Sequence, residues 1–265
     1  MEKDILENNH IAIIGYGNMG RAIARGLLNK KIVKLSQLHI SNSADENATV
    51  FMKSQIIILC VKPQIISRVI ADIMDITDIK IMDKLFISVA AGISINSLQK
   101  QLGEEAKIIR VMPNLCAQIG ESMSCWVKNE QVTLLDEKII KTVLESFGCQ
   151  LEMKDENDLN KVTAISGSGP AYIFYFIEAF IEASRSLGLD YETSKLLVMQ
   201  TLKGSLLALI QNGANVEELR KQVTSKGGTT EAAMNMLKKQ KFKEIFREAV
   251  QSAYIRSLEL QNYSL

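Results

Sequence analysis

The residues best placed to do chemistry form the loop Gly15-Tyr16-Gly17-Asn18-Met19-Gly20, a G-x-G-x-x-G pattern. His10–Ile14 reads as a strand entering it and Arg21–Leu28 as a helix leaving it. In that setting Gly15 makes the tight turn, Gly17 lets the backbone approach a pyrophosphate, and Gly20 lets the helix lie close to the sheet. The helix N-terminus then offers N–H groups and a positive dipole end to the phosphates. The end of the second strand bears on which dinucleotide is held. Ser41-Asn42-Ser43 is neutral and would not repel a 2′-phosphate, which tilts toward NADPH. Asp45 and Glu46 follow closely, and an acid there is the usual partner of a free ribose hydroxyl, so NADH stays open. Two more strand ends, Cys60-Val61-Lys62-Pro63 and Val89-Ala90-Ala91-Gly92, should border the nicotinamide, because ligands of open α/β sheets sit beyond the carboxyl ends of strands. Lys62-Pro63 reads equally well as an ordinary charged turn.

The second half holds two unusual turns. Ser166-Gly167-Ser168-Gly169-Pro170 has the cap serine and early proline of a helix start; close helix packing at small residues is the other reading. Thr224-Ser225-Lys226-Gly227-Gly228-Thr229-Thr230 sets glycines and hydroxyls before a helix, which suits a carboxylate, although a capped turn has the same composition.

The elements behind these loops are of two kinds. Short runs rich in Ile, Val and Leu at Ile11–Ile14, Leu38–Ile40, Ile56–Val61, Leu85–Ala90 and Ile108–Met112, with later ones at Met123–Val127 and Gln150–Glu152, predict a parallel sheet covered on both faces. After Glu156 the period becomes helical: Pro170–Leu187, Tyr191–Gln211, Glu217–Gln222, Thr229–Lys238 and Phe242–Leu260, with a frayed tail from Gln261. The fold class expected is thus an α/β Rossmann-like domain over residues 1–155 and an all-α domain over 156–265. Ile173, Phe174, Phe176, Ile177, Phe180 and Ile181 make one helix apolar nearly all round, which predicts burial against a second copy of the chain.

Composition narrows the function classes. With 31 basic and 30 acidic residues among 265 there is no field to hold a polyanion, so nucleic-acid binding is not expected. The acidic first residues lack the apolar core of a secretory signal. Tyr172–Leu189 is interrupted by Glu178, Glu182 and Arg185, so a core helix is expected rather than a membrane span. Cys60, Cys116, Cys125 and Cys149 are widely spaced and only two histidines are present. That pattern predicts reduced thiols in the cytoplasm and no metal site.

Together these motifs resemble the pyrroline-5-carboxylate reductase family. The matching pieces are Ile14–Gly20, Val61-Lys62-Pro63-Gln64, Ala90-Ala91-Gly92, Arg110-Val111-Met112-Pro113-Asn114, Val162–Tyr172, Gln200-Thr201, Val223–Thr230 and Arg256–Leu260. The resemblance implies a Rossmann-like NAD(P)H domain followed by a helical domain that dimerises and often builds larger rings, together reducing Δ1-pyrroline-5-carboxylate to L-proline. Carried over residue by residue, Ile14, Gly15, Tyr16, Gly17, Asn18, Met19, Gly20, Ser43, Asn47, Cys60, Val61, Lys62, Pro63, Val89, Ala90 and Ala91 would line the cofactor. Glu156, Thr163, Gln222, Ser225, Gly228, Thr229 and Thr230 would hold the substrate, with Thr230 near the ring nitrogen as the catalytic hydroxyl. The lack of a histidine beside these turns is consistent with that chemistry. A ketone reductase must protonate an alkoxide, whereas a protonated imine becomes a neutral amine on hydride addition.

Three departures stand out. Lys226 occupies a position where the family usually has proline, and Asn215-Val216 replaces a His-Pro pair. Between Ser43 and Asn47 the chain lacks a helix and the third, edge strand, which should shorten the wall beside the adenosine. A non-catalytic dinucleotide-binding homologue and a β-hydroxyacid-type dehydrogenase, with Lys161 as its nearest candidate lysine, are the competing expectations.

Overall fold

Strands and helices alternate from β1 (Ile11–Ile14) to β7 (Gly148–Glu152) in the computed structural model, which describes residues 3–75, 81–213 and 215–262. After β1 come α1 (Asn18–Asn29), β2 (Leu38–Ser41), α2 (Ala44–Met52), β3 (Ile56–Leu59), α3 (Ile66–Met74), β4 (Leu85–Ser88), α4 (Ile95–Leu102) and β5 (Lys107–Met112). Then β6 (Ser122–Lys128) and α5 (Leu134–Glu145) lead into β7. The strands form one seven-stranded sheet in the order β2-β1-β3-β4-β5-β6-β7. Its apolar runs are continuous because both faces are covered. Ile11, Ile13, Ile56 and Ile58 enter the core on one side, and Ala12, Ile14, Ile57 and Leu59 enter the core on the other.

The sheet is not wholly parallel: β6 runs antiparallel to β5, with Val111 opposite Trp126, and β7 then pairs parallel to β6. The expected loss of the edge strand is present. β2 pairs only with β1, and a single helix, α2, returns the chain from β2 to β3. Two hydrogen-bonded anchors hold that short return. Asn47 Nδ2 donates to Asp72 Oδ2 on α3 at 3.3 Å. Lys84 Nζ donates to the carbonyls of Phe51 (3.0 Å) and Ser54 (2.6 Å) at the end of α2.

The chain divides into two compact units, Met1–Pro170 with Ala253–Leu265, and Ala171–Ser252. In the first, α6 (Asp158–Val162) passes into a wider π turn at Thr163–Gly167 before α7 (Gly169–Ser186). Ser166–Pro170 does open a helix, as its cap-like composition predicts, with Gly169 and Pro170 in the first turn of α7, but it follows directly on the π turn and not on a loop. Pro170 lacks an N–H, so the ladder is interrupted here while the helix runs on. The remaining helices are α8 (Tyr191–Asn212), α9 (Val216–Gln222), α10 (Thr229–Lys239) and α11 (Phe242–Asn262). The tail is ordered further than expected. Asn160 Nδ2 donates to Gln261 Oε1 at 2.6 Å and Ser257 Oγ to Asn160 Oδ1 at 2.8 Å, while residues 263–265 lie outside the described residues.

In the second unit α8 is capped by Asp190, whose carboxylate accepts from Thr193 N at 3.0 Å, and ends at Gly213 in the left-handed region. Tyr172 meets Phe246 edge to face. No residue of α7 is buried in the single chain, and Ile173, Phe174 and Tyr175 are exposed. The expectation of a core helix is thus not met within one chain. Over Asp158–Ser186 the helix is long and apolar enough to cross a membrane, by length and composition.

Candidate active site

The glycine loop has the geometry its pattern demands. Gly15 sits at φ 96°, and a Cβ there would lie 2.8 Å from the Cys60 carbonyl carbon and from Val61 Cγ1. A Cβ on Gly20 would come within 2.3 Å of the Gly15 carbonyl oxygen. At Gly17 the added atom would meet nothing within 4 Å, so the face at which a pyrophosphate would approach is open. Gly17 caps α1, whose first turn carries no acid to compensate the positive helix end. Gly15 N donates to the Ser41 carbonyl at 2.9 Å, and Tyr16 N donates to Asn42 Oδ1 at 2.8 Å. The loop is thus tied to the end of β2 through both backbone and side chain.

Beyond the loop a cavity of about 340 Å³ opens where the strands end. Among the predicted residues Asn18, Met19, Cys60, Val61, Val89 and Ala91 line it. β3 and β4 stop at Leu59 and Ser88, two residues before the predicted ends, so Cys60, Val61 and Val89 belong to loops. Burial of its sulfur pushes the Cys60 thiol up to about 12, although part of the residue's surface is accessible. It is an apolar wall, not a nucleophile.

The other predicted cofactor residues are placed differently. Ile14 and Ala90 are buried and support the loops from below. Lys62 and Pro63 open a short 3-10 turn outside the cavity lining. Ser43 caps α2 without a side-chain hydrogen bond. Asn47 is buried, and its amide oxygen accepts from Ser41 Oγ at 2.7 Å, so its hydrogen bonds are made inside the unit. Sequence reasoning gave no role to Met112, Pro113, Asn114, Leu115, Gln118 and Gly167, which line the same cavity. The Arg110–Asn114 motif was the available signal for the first three. Asn114 joins two walls of the cavity: its Oδ1 accepts from Cys116 N and its Nδ2 donates to the Ser166 carbonyl, both at 3.1 Å.

The predicted substrate residues divide between the two units. In the first, Glu156 Oε1 accepts from Arg110 Nη1 at 2.7 Å and from Ile95 N at 2.9 Å. Thr163 Oγ1 donates to the Leu159 carbonyl at 2.7 Å. In the second, Gly228 N donates to the Ser225 carbonyl at 3.1 Å, closing a turn with Gly227 at φ 74°. Gly227 N donates to Glu231 Oε2 at 2.8 Å. The cradle is thus smaller than its composition suggests: two N–H groups are already used, and those of Thr229 and Thr230 open α10 without an intrahelical carbonyl. Gln222 ends α9, exposed. Lys161 is exposed and paired with Asp158 at 2.5 Å, which raises its pKa, the opposite of a tuned catalytic lysine.

Residues 156–260 match the family model for pyrroline-5-carboxylate reductase dimerisation, and residues 10–92 match that for NADP oxidoreductase, coenzyme F420-dependent. Pyrroline-5-carboxylate reductase 2 of Bacillus subtilis is 34% identical over 95% of this chain and 95% of its own length. This chain belongs to the pyrroline-5-carboxylate reductase family. Two solved members of the family have the same fold. The Plasmodium falciparum pyrroline carboxylate reductase with NADP bound has a TM-score of 0.87 at 33% identity, over 96% of this chain and 99% of that one. The Coxiella burnetii pyrroline-5-carboxylate reductase gives 0.84 at 31% identity, over 96% and 99%. Within the reductase family, then, this chain keeps the glycine loop and a cavity at the strand ends, on a sheet that ends at β2.

Proposed function

We propose that this chain reduces Δ1-pyrroline-5-carboxylate to L-proline, the last step of proline biosynthesis, with NADPH or NADH as hydride donor. The observation that carries the reading is the family likeness along almost the whole chain, 34% over 95% of its length, together with a glycine loop whose open side faces out at Gly17. The loop residues Gly15–Gly20 would hold the pyrophosphate, and Asn18, Met19, Cys60, Val61, Val89 and Ala91 the nicotinamide end. When bound, the reduced nicotinamide supplies the hydride. The remaining work is positioning in a largely apolar cavity. Thr229 and Thr230, with Ser225 and Gly228, offer hydroxyls and N–H groups to the substrate carboxylate, and the Thr230 hydroxyl holds the proton at the ring nitrogen. Thr163, Gln222 and Glu156 complete the substrate set, Glu156 through its hold on Arg110 and Ile95.

The reading includes a division at residue 155, supported by the dimerisation model that begins at residue 156. It includes self-association, as a dimer or larger ring, through the apolar face of α7. It also places the protein in the cytoplasm, in keeping with four free thiols. The test is oxidation of NADPH and NADH by the purified chain with pyrroline-5-carboxylate, with proline identified as product. Binding of dinucleotide without turnover would instead favour a non-catalytic homologue.

A further inference from the structure

We propose that Glu46 decides which dinucleotide this chain uses, turning it away from the 2′-phosphate and toward NADH. The inference rests on the reading of the glycine loop as a dinucleotide site. In a doubly wound sheet the ribose that carries the 2′ group lies beyond the end of β2, where an acid selects the free hydroxyl and an arginine the phosphate. Ser41, Asn42 and Ser43 look neutral and permissive in sequence, but the Ser41 hydroxyl and the Asn42 amide oxygen are already engaged, while the Ser43 hydroxyl makes no capping hydrogen bond. Asn42 Oδ1 accepts from Tyr16 N at 2.8 Å, and Ser41 Oγ, with one proton to donate, lies 2.7 Å from Asn47 Oδ1 and 3.0 Å from the Ser43 carbonyl oxygen.

The backbone N–H of Asn42 is a donor at this strand end that a phosphate could use beside the Ser43 hydroxyl. It donates instead to Glu46 Oε2 at 3.0 Å. Glu46 lies in the first turn of α2 and folds back because only Asn42 and Ser43 separate β2 from that helix. The short return that removes the edge strand thus brings a carboxylate to the ribose end. It occupies the anion position with a charge of its own, and the free oxygen of an exposed carboxylate is the partner a 2′-hydroxyl needs. No counter-charge is supplied nearby in sequence: from Ile40 to Met52 the chain contains Asp45 and Glu46 and no lysine or arginine. A 2′-phosphate would have to displace Glu46 from Asn42 and then sit beside its carboxylate.

The test compares the full-length protein with Glu46→Gln, which can keep the bond to Asn42 N and loses the charge, and with Glu46→Ser, which loses both. Each is read by kcat/KM for NADH and NADPH with pyrroline-5-carboxylate, and by fluorescence titration of both reduced dinucleotides without substrate. We expect the wild type to favour NADH by about ten-fold or more, and Glu46→Gln to raise the NADPH value by about ten-fold, as removal of one charge beside a phosphate in partly screened surroundings should. Glu46→Ser should go further and lower the NADH value a few-fold. A wild type that favours NADPH, or an NADH-to-NADPH ratio that neither substitution moves, overturns the proposal. If the chain binds dinucleotide but turns over no pyrroline-5-carboxylate, the reductase reading fails, while the binding ratios still decide the role of Glu46.

Discussion

Asn114 Nδ2 donates to the Ser166 carbonyl at 3.1 Å and so fastens the end of β5 to the π turn. The carbonyl needs this partner because its α-helical donor, four residues on, would be Pro170, which has no N–H. The same side chain caps the 3-10 turn at Leu115–Ile119 through Oδ1. Both Asn114 and Gly167, next to Ser166, line the cavity assigned to the nicotinamide, and π turns recur at functional sites.

Asn114→Asp separates the two roles, since a carboxylate keeps the cap and loses the donor. We expect kcat to fall about ten-fold, the scale of one buried carbonyl left unsatisfied, with KM for the dinucleotide within a factor of about two. Asn114→Ala, losing both roles, should also lower the thermal midpoint. An Asp variant with wild-type kcat would limit Asn114 to capping.

Thr230→Ala tests the assigned hydroxyl. Loss of one hydrogen bond at the reacting nitrogen should lower kcat/KM by about one to two orders of magnitude. Thr230→Ser should recover most of it, because the hydroxyl is restored. Steady-state rates on pyrroline-5-carboxylate check this, and wild-type rates in the Ala variant would remove Thr230 from the mechanism.

Much of the fold was legible because its signal is local. Ile11–Ile14 and Ile56–Leu59 are apolar at every position, as strands covered on both faces must be, and Gly15, Gly17 and Gly20 mark the loop by spacing alone. The direction of β6 was not legible, since the same apolar run serves a parallel or an antiparallel neighbour. Ser166–Pro170 marked the start of α7 but not the π turn before it, because cap chemistry looks the same after a loop as after a wide turn. What distinguishes the two is Asn114, 52 residues away. The site was legible where backbone shape makes it and less so where long-range pairing does. Glu156 and Asn47 carry the expected residue types, yet Arg110 and Asp72 determine what their polar atoms touch.

Arg110 and Glu156 supply a stability prediction. The guanidinium is buried, with 4% of its side chain exposed, and meets Glu156 at 2.7 Å. Glu156→Ala would leave that charge without a partner and should cost about 2–4 kcal/mol, the lower part reflecting the partial exposure of Glu156. Urea denaturation at fixed protomer concentration reads it. A loss below about 0.5 kcal/mol would place the pair among ordinary surface contacts.

His39 gives the chain a response to mild acid. Its Nε2 lies 2.9 Å from His10 Nδ1, and desolvation, then His10 and Lys53, lower its pKa from 6.5. A base whose folded pKa lies below its unfolded value binds its proton more readily once unfolded. Its contribution is therefore complete above pH 6.5 and is lost as pH falls from there through the folded value. Urea midpoints should decline between about pH 7 and pH 5, and His39→Gln should flatten the decline. An unchanged slope in the variant would assign the acid response to other groups.

The last prediction concerns the departure at Lys226. In the turn from Ser225 to Gly228 the third residue, Gly227, has φ 74° and Lys226 is not among the residues of positive φ, which defines a type II turn with Lys226 second. That position favours proline, and no hydrogen bond from Lys226 N is present among the described residues. Lys226→Pro should thus fit without strain and stabilise the chain by about 0.4–1 kcal/mol, by restricting the unfolded state. Activity distinguishes a second consequence. If the turn serves only as a rigid carboxylate cradle, the variant keeps kcat and lowers KM for pyrroline-5-carboxylate, because less ordering is left for binding. A variant that is more stable but slower would show that the lysine is used, either as a charge beside the carboxylate or as a hinge during turnover.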